Sequence, residues 1–126
     1  MSTNRTAKVL VTNGFSNPAT ITLTHQFSSD PKEVKTWDNV PSGQTGDEPL
    51  VVHYKTGFAT GLDYWHVEVR VASGPSEGTW ENSGNKECYL TDKDEGIVHT
   101  FSVSEAGGFK MNMLSSSCSA SLQKTQ

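Results

Sequence analysis

The chain has 126 residues, of which 33% are hydrophobic and 19% are charged, and its formal net charge at pH 7 is -4. That length suits one domain rather than two. Three Trp, three Tyr and five Phe residues, together with the small net charge, argue against a disordered chain. Lys and Arg residues are scattered singly, which argues against nucleic acid as a partner because binding to phosphates needs clustered cations.

Apolar and polar residues alternate along much of the chain, as they do in strands that bury one face. The clearest case is Ala19–Phe27, where apolar side chains and a histidine alternate with Thr and Gln. A β-branched pattern at Tyr64–Val71 predicts a central strand. About nine strands are predicted in all, at Lys8–Thr12, Ala19–Phe27, Val34–Val40, Leu50–Lys55, Tyr64–Val71, Thr79–Asn82, Glu87–Thr91, Ile97–Val103 and Phe109–Leu114.

Residues that favour turns separate these strands, for example Asn13-Gly14 and Gly107-Gly108. No apolar stripe with helical spacing persists along the sequence, which disfavours crossover helices and predicts antiparallel sheets. Short antiparallel strands bury their apolar faces by packing two sheets together, so we expect an all-β, antiparallel β-sandwich. We expect one domain over residues 1–126, with flexible tails at about 1–6 and 119–126.

The sequence contains no segment that could span a membrane and no visible signal peptide. We therefore expect a cytoplasmic protein, with unconventional secretion as the alternative. Cys88 and Cys118 would stay reduced in a reducing compartment and could pair as a disulfide in an oxidising one, and the sequence leaves both outcomes open. Neither cysteine has a second Cys or a His within four positions, so no metal site is predicted there.

Four histidines lie in four predicted strands. His25 and His99 are on apolar faces, which predicts hydrogen-bonded core residues rather than ligands. His66 is on a polar face beside Tyr64 and is the histidine that we expect at a binding surface. The segment Asp92–Gly96 has acidic residues and a glycine, as calcium loops do, but it lacks the further ligands, which favours an ordinary turn.

The tryptophans have polar neighbours that suit a sugar-binding site. Trp37 is followed by an Asp and an Asn, and Trp80 by a Glu and an Asn. A sugar offers apolar C–H faces and a rim of hydroxyl groups, so aromatic rings beside polar side chains can bind it. The expected contact residues are Trp37, Asp38, Asn39, Tyr64, His66 and Trp80. Any of the tryptophans can instead fill the core, and Trp65 is predicted to do so because it shares a face with two valines.

The sequence contains no Gly-x-Ser-x-Gly elbow, no Gly-rich phosphate loop and no His-Glu-x-x-His helix. These motifs would indicate nucleophilic, phosphate-dependent and metal-dependent chemistry, respectively. We therefore expect a protein without enzymatic activity and without a cofactor.

Several short segments are similar to those of a known family: Thr36-Trp37, Gly61–Trp65, Lys86–Cys88 and Thr100–Val103. They resemble the PUD family, small proteins first noted as up-regulated in long-lived nematode insulin-receptor mutants, with many fungal relatives. The resemblance spans most of the chain, roughly from Val9 to Cys118. It implies a jelly-roll-like β-sandwich that can pair with a like subunit, and it implies no functional residues and no activity. A sweet-tasting truffle protein is also considered for this group.

The leading hypothesis is a soluble, non-catalytic binding protein, lectin-like or defence-type, that recognises carbohydrate through the contact residues above. Formation of a homodimer would add avidity. The first alternative is a self-associating structural or storage protein, whose aromatic residues fill the core and the subunit interface. The second alternative is a protein that binds a protein receptor, which includes a taste receptor.

Overall fold

A computed structural model describes residues 2–57 and 61–126 of the chain. Within these residues it contains 11 strands and one 3₁₀ turn, at Asp92–Asp94. The strands are β1 (Ser2–Asn13), β2 (Ala19–Phe27), β3 (Glu33–Val40), β4 (Leu50–Gly57), β5 (Asp63–Val71), β6 (Gly78–Glu81), β7 (Lys86–Glu87), β8 (Val98–Ser104), β9 (Gly108–Asn112), β10 (Ser117–Ala120) and β11 (Gln123–Lys124). In the described ranges no helix is long and apolar enough to cross a membrane.

The strands form two sheets. The first sheet has the order β10-β9-β8-β1-β4, and the second has the order β11-β6-β5-β2-β3, with β7 paired to β5. The predicted all-β sandwich is therefore confirmed. One pair departs from the antiparallel expectation, because β1 and β8 run parallel, with Lys8 opposite Val98 and Asn13 opposite Val103. A parallel pair needs a long connection, which the many residues between β1 and β8 supply.

The apolar faces of the two sheets pack into one buried cluster. Strand β2 alternates between buried and half-buried residues along its whole length, as the sequence predicts. Trp65 is fully buried, which confirms its predicted place in the core. Its ring meets Phe101 edge-on at 4.9 Å between centroids, and Phe101 meets Phe109 in the same manner at 6.1 Å. These edge-to-face contacts connect the second sheet to the first.

Both segments predicted to be tails take part in sheet pairing in the described residues. Ser2–Thr6 belong to β1 and pair with the end of β4. At the other end, β11 pairs with β6, and the Thr125 amide donates a hydrogen bond to the Thr79 carbonyl at 2.7 Å. Both segments are rich in Ser, Thr, Asn and Gln, so they lack an apolar pattern. They are ordered by main-chain pairing at sheet ends rather than by a buried face.

Candidate functional site

Trp37 is buried, with 4% of its surface exposed. Its indole N–H donates to the carbonyl oxygens of Asp47 and Glu48, at 2.8 and 2.9 Å. Gly46 lies against the ring so closely that a Cβ there would be 2.4 Å from the indole carbon Cδ1. The expectation that Trp37 stacks on a sugar is therefore wrong, because neither ring face is accessible.

Asp38 and Asn39 follow Trp37 on β3 but face solvent. The register between β2 and β3 shifts here, in a β-bulge. Asn39 has a φ of +48°, which asparagine tolerates better than most residues. Its backbone N–H donates to the Thr20 hydroxyl at 3.3 Å. The bulge directs these two side chains outward while Trp37 stays in the core.

Tyr64 and His66 lie half-buried on the outer face of the second sheet, on β5. His66 Nδ1 donates to the Gly84 carbonyl at 2.7 Å, and Nε2 is 3.0 Å from Glu81 Oε1. The Thr125 hydroxyl and the His66 ring, both bonded to Glu81, lower the pKa of that carboxyl. This surface is polar and its histidine is engaged by protein groups on both nitrogens.

Trp80 is half-buried and packs on Phe15, with 5.6 Å between ring centroids, and its indole N–H donates to the Ser76 carbonyl at 2.9 Å. It lies on β6, whereas Trp37 lies on β3, and β5 and β2 separate these strands. At a strand spacing of about 4.8 Å, the two tryptophans lie on strands roughly 14 Å apart. The six expected contact residues therefore do not converge on one site.

A cleft with a volume of about 570 Å³ opens at the end of the sandwich where β1 begins and β4 ends. We call it the end cleft. Its lining in the described part of the chain consists of Thr3, Arg5, Lys55–Gly57, Gly61–Asp63 and Tyr89–Asp92. Gly61 is required at the rim, since a Cβ would lie 1.6 Å from the Ser28 hydroxyl oxygen.

The lining of the end cleft combines an exposed aromatic ring with charged and hydroxyl groups. Tyr89 is 49% exposed. Its hydroxyl donates to Glu87 at 3.1 Å, and this bond raises the pKa of the phenol. Arg5 is held by Thr56, which accepts from Nε at 2.5 Å, and by Glu95, 2.6 Å from Nη1. The cleft lining thus contains an aromatic ring together with side chains of both charges.

Asp63, in the wall of the cleft, is 2% exposed, and its carboxylate is fully engaged. Oδ2 accepts the Leu90 amide at 2.9 Å, and Oδ1 lies 2.7 Å from His25 Nε2. His25 Nδ1 lies 2.9 Å from Glu33 Oε1. Because both imidazole nitrogens are bonded to carboxylates and the ring is fully buried, His25 is not placed to take a proton from a substrate.

The segment Asp92–Asp94 is a 3₁₀ turn capped by Thr91. Asp94 is fully buried and its oxygens accept the Thr91, Leu114 and Ser115 amides and the Ser115 hydroxyl. Burial would raise the pKa of Asp94, but these hydrogen bonds outweigh it and lower the pKa. The carboxylate closes a turn rather than facing a cation, in line with the turn that the sequence favours. Among the described residues, no group of three or more His, Cys, Asp and Glu side chains is arranged to hold a metal ion.

The other predicted core residues agree with the sequence. His99 is 4% exposed, and its Nε2 donates to the Asp94 carbonyl at 3.2 Å.

Cys88 and Cys118 form a disulfide with 6.1 Å between their Cα atoms. It links the segment that follows β7 to β10, and so joins the two sheets beside the end cleft.

The sequence reasoning missed the end cleft and its aromatic residue. In the predicted strand Glu87–Thr91, Cys88 and Leu90 share the buried face and Tyr89 faces outward. A large aromatic residue at an outward position is the signal that could have identified Tyr89. Arg5 lay in a segment predicted to be a tail, and only the pairing of β1 with β4 brings it to the cleft.

A family model described as "Up-Regulated in long-lived daf-2" matches residues 3–125, which is nearly the whole chain. No curated protein matches the chain.

Proposed function

We propose that this chain, which belongs to the PUD family through the match over residues 3–125, is a non-catalytic protein that binds carbohydrate in the end cleft. The observation that carries the proposal is the exposed ring of Tyr89 at the edge of a cleft lined by polar side chains. The apolar C–H face of a sugar can stack on such a ring while its hydroxyl groups bond to the surrounding polar groups.

The charges and size of the end cleft favour a neutral sugar. Arg5 is paired with Glu95, and the cation of Lys55 is matched by the carboxylate of Asp92 in the same lining. A volume of about 570 Å³ falls within the range of small-molecule sites and accommodates one or two sugar rings. Asp92, Thr91 and Thr3 supply the oxygen atoms for hydrogen bonds to sugar hydroxyls.

The absence of catalysis is part of the proposal. A glycosidase needs a carboxylic acid and a carboxylate that face the scissile bond. In the wall of the cleft, both oxygens of Asp63 are occupied by protein donors. Binding by stacking and hydrogen bonding requires no such group.

A glycan array, followed by calorimetric titration of the sugars that bind, tests this function. We expect millimolar affinity for a neutral sugar, and Tyr89→Ala should weaken binding roughly 10-fold because it removes the stacking platform. Tyr64→Ala is the matched control on the outer face of the second sheet, and it should leave binding unchanged. No binding at millimolar sugar, or loss of binding in Tyr64→Ala alone, would contradict the proposal.

Self-association is a second candidate function, favoured by one surface. Val51 is 42% exposed and Val98 is 50% exposed, and both lie opposite Lys8 on the outer face of the first sheet. Sedimentation velocity at micromolar concentration should then show a dimer that Val98→Lys dissociates. Val34→Lys on the other sheet is the control, since Val34 is at least as exposed, at 56%. A monomeric wild-type protein would exclude this candidate.

A further inference from the structure

His25 lies in a polar chain that reaches from the buried interior of one sheet to an exposed histidine on the other. The ring is fully buried and tilts against Trp65, with 4.6 Å between the ring centroids. Its two nitrogens lie 2.7 Å from Asp63 and 2.9 Å from Glu33. Glu33 in turn accepts the His53 amide at 3.0 Å and lies 2.6 Å from His53 Nδ1. His53 is on β4, in the first sheet, whereas the other three residues are in the second sheet.

The hydrogen-bond chemistry determines the charge of this ring. A neutral imidazole has one N–H donor and one acceptor nitrogen, and only the protonated ring has two donors. Carboxylates accept hydrogen bonds and, when ionised, donate none. With both carboxylates ionised, the two short contacts are satisfied together by an imidazolium and not by a neutral ring.

We propose that His25, Glu33 and His53 form a pH-sensitive clasp between the two sheets, which is closed while His25 is protonated and opens on the Glu33 side when His25 loses its proton. The clasp is independent of the carbohydrate function proposed for the end cleft.

The relative burial of the two carboxylates indicates which contact opens. Asp63 has a side chain only 3% exposed, and its other oxygen already holds the Leu90 amide. Glu33 has a side chain that is 23% exposed, so water can replace the lost donor. A neutral His25 should therefore donate its remaining N–H to Asp63. Leaving a buried carboxylate without a donor costs more free energy than leaving one that water can hydrate. Its bare Nδ1 would then face the Glu33 carboxylate and repel it.

Two of the titratable groups near His25 contact its ring, and both are carboxylates. Asp63 on β5 and Glu33 on β3 bond to it, and His53 on β4 contacts it through Glu33. Tyr54, also on β4, has a buried hydroxyl whose pKa is raised by burial and by nearby carboxylates, so it stays neutral. No positive group among these touches the imidazole directly, and both direct contacts favour its protonated form.

The pKa directions define the pH range in which the clasp stabilises the fold. Burial would lower the pKa of His25, but the bonds to Asp63 and Glu33 outweigh it and hold the pKa above its ordinary 6.5. The stabilisation of the fold that results from this raised pKa is complete below pH 6.5 and is lost as the pH rises through the raised pKa. Burial would raise the pKa of Glu33, but the bonds from His25 and His53 hold it below 4.5. The contribution of Glu33 is present above pH 4.5 and is lost as the pH falls through the lowered pKa. The clasp is thus strongest between those two ordinary values.

Nuclear magnetic resonance of the imidazole nitrogens tests the clasp directly. The measurement is best made in His53→Gln, which removes the second imidazole beside Glu33 but keeps the backbone amide that donates to Glu33. We expect both nitrogens of His25 to be protonated at pH 5.5 and to titrate with a midpoint above 6.5, the ordinary histidine value. The amide resonance of position 53 should shift with the same midpoint, whereas the Leu90 amide should not.

Three outcomes would overturn the proposal: a neutral His25 at pH 5.5, an amide of position 53 that does not follow His25, or a Leu90 amide that follows it instead.

A second measurement uses denaturant unfolding at pH 6.5 and 8.5. The unfolding equilibrium constant of the wild type should rise more than that of Glu33→Gln, which keeps Asp63 but loses one of the two carboxylates that hold the proton on His25. Glu81→Gln, which changes the partner of the surface histidine His66, is the control and should behave as the wild type. Equal pH dependence in wild type and Glu33→Gln would contradict the clasp.

Discussion

Two buried ionisable side chains hold this sandwich together, and they respond to pH in opposite ways. His25 is bonded to Asp63 and Glu33, which are themselves titratable. Asp94 is hydrogen-bonded to backbone amides and to the hydroxyl of Ser115, and His99 Nε2 lies 3.8 Å from its Oδ1. Both side chains are fully buried. The partners of a buried charge, rather than its burial, therefore decide whether its contribution to stability is lost as the pH falls or as the pH rises.

The Asp94 tie, formed by Asp94 with Thr91, Leu114 and Ser115, works alongside the disulfide. Cys88 and Asp94 lie in the segment that follows β7, and their partners outside that segment are Cys118 for Cys88 and Leu114 and Ser115 for Asp94. Two ties of different chemistry thus join the same two segments beside the end cleft. Removing either one isolates the contribution of the other.

The largest expected effect is that of removing the disulfide. Cys88→Ala with Cys118→Ala opens a loop with a sequence separation of 30 residues. In the chain-entropy model this lowers the free energy of unfolding by roughly 3 to 4 kcal/mol. Urea denaturation of the double variant, compared with the oxidised wild type, measures the loss. A change below about 1 kcal/mol would show that the Asp94 tie alone is sufficient to constrain these segments.

Asp94→Ala is expected to lower the free energy of unfolding by about 2–3 kcal/mol, since it leaves several amides of two segments without an acceptor. Asp92→Ala is the matched control in the same 3₁₀ turn. Asp92 is exposed, so its loss should change stability by less than about 0.5 kcal/mol. Denaturant unfolding of both variants at pH 7 tests the difference. Equal losses would mean that the turn, rather than the buried carboxylate, carries the stability.

How much the sequence predicted depends on how local the cause is. The alternation in Ala19–Phe27 predicted β2, and the apolar face of Tyr64–Val71 predicted that Trp65 is buried, because burial on one face has a period of two residues. His25 was predicted to be a hydrogen-bonded core residue, and it is one. Its partner Asp63, however, is 38 residues away, and no local pattern specifies that contact.

The binding residues were harder to predict than the fold. Trp37 has polar neighbours in sequence, but the groups that bury its N–H are carbonyls of a turn about ten residues later. The end cleft combines the start of β1, the end of β4 and the segment Tyr89–Asp92. Its components become neighbours only through long-range pairing, including the parallel pairing of β1 with β8 that the sequence did not predict.

The pH dependence of stability separates the two buried charges, with a smaller expected effect than either substitution above. Asp94 has a pKa below its ordinary 3.8, so its contribution is present above pH 3.8 and is lost as the pH falls through the lowered pKa. The contribution of His25 is lost instead as the pH rises above 6.5. The free energy of unfolding should be measured from pH 3 to 9. In this profile Asp94→Ala should reduce only the loss of stability at acid pH. Glu33→Gln should change the loss of stability above neutral pH. If Asp94→Ala also removed the loss of stability above neutral pH, the result would contradict this separation of the two charges.

The smallest expected effect is that of His66→Gln. This substitution tests whether a histidine–carboxylate pair must be buried to contribute to the free energy of unfolding. His66 resembles His25 in its contacts, since its nitrogens lie 2.7 Å from the Gly84 carbonyl and 3.0 Å from Glu81. The side chains of His66 and Glu81 are 28% and 30% exposed, however, so water and salt screen the pair. We expect a loss below about 0.5 kcal/mol, and a still smaller loss in 1 M salt, by denaturant unfolding at pH 5.5.

His25→Gln, measured in the same way, should cost several times more than His66→Gln, because it leaves buried Asp63 without its donor. Comparable losses from the two substitutions would mean that the number of contacts, and not their separation from water, sets the strength of these histidine ties. The two histidines are on strands of the same sheet, β2 and β5, and each contacts a carboxylate, but His25 contacts two and His66 contacts one. The difference between their losses therefore combines the effect of removal from water with that of the second carboxylate on His25.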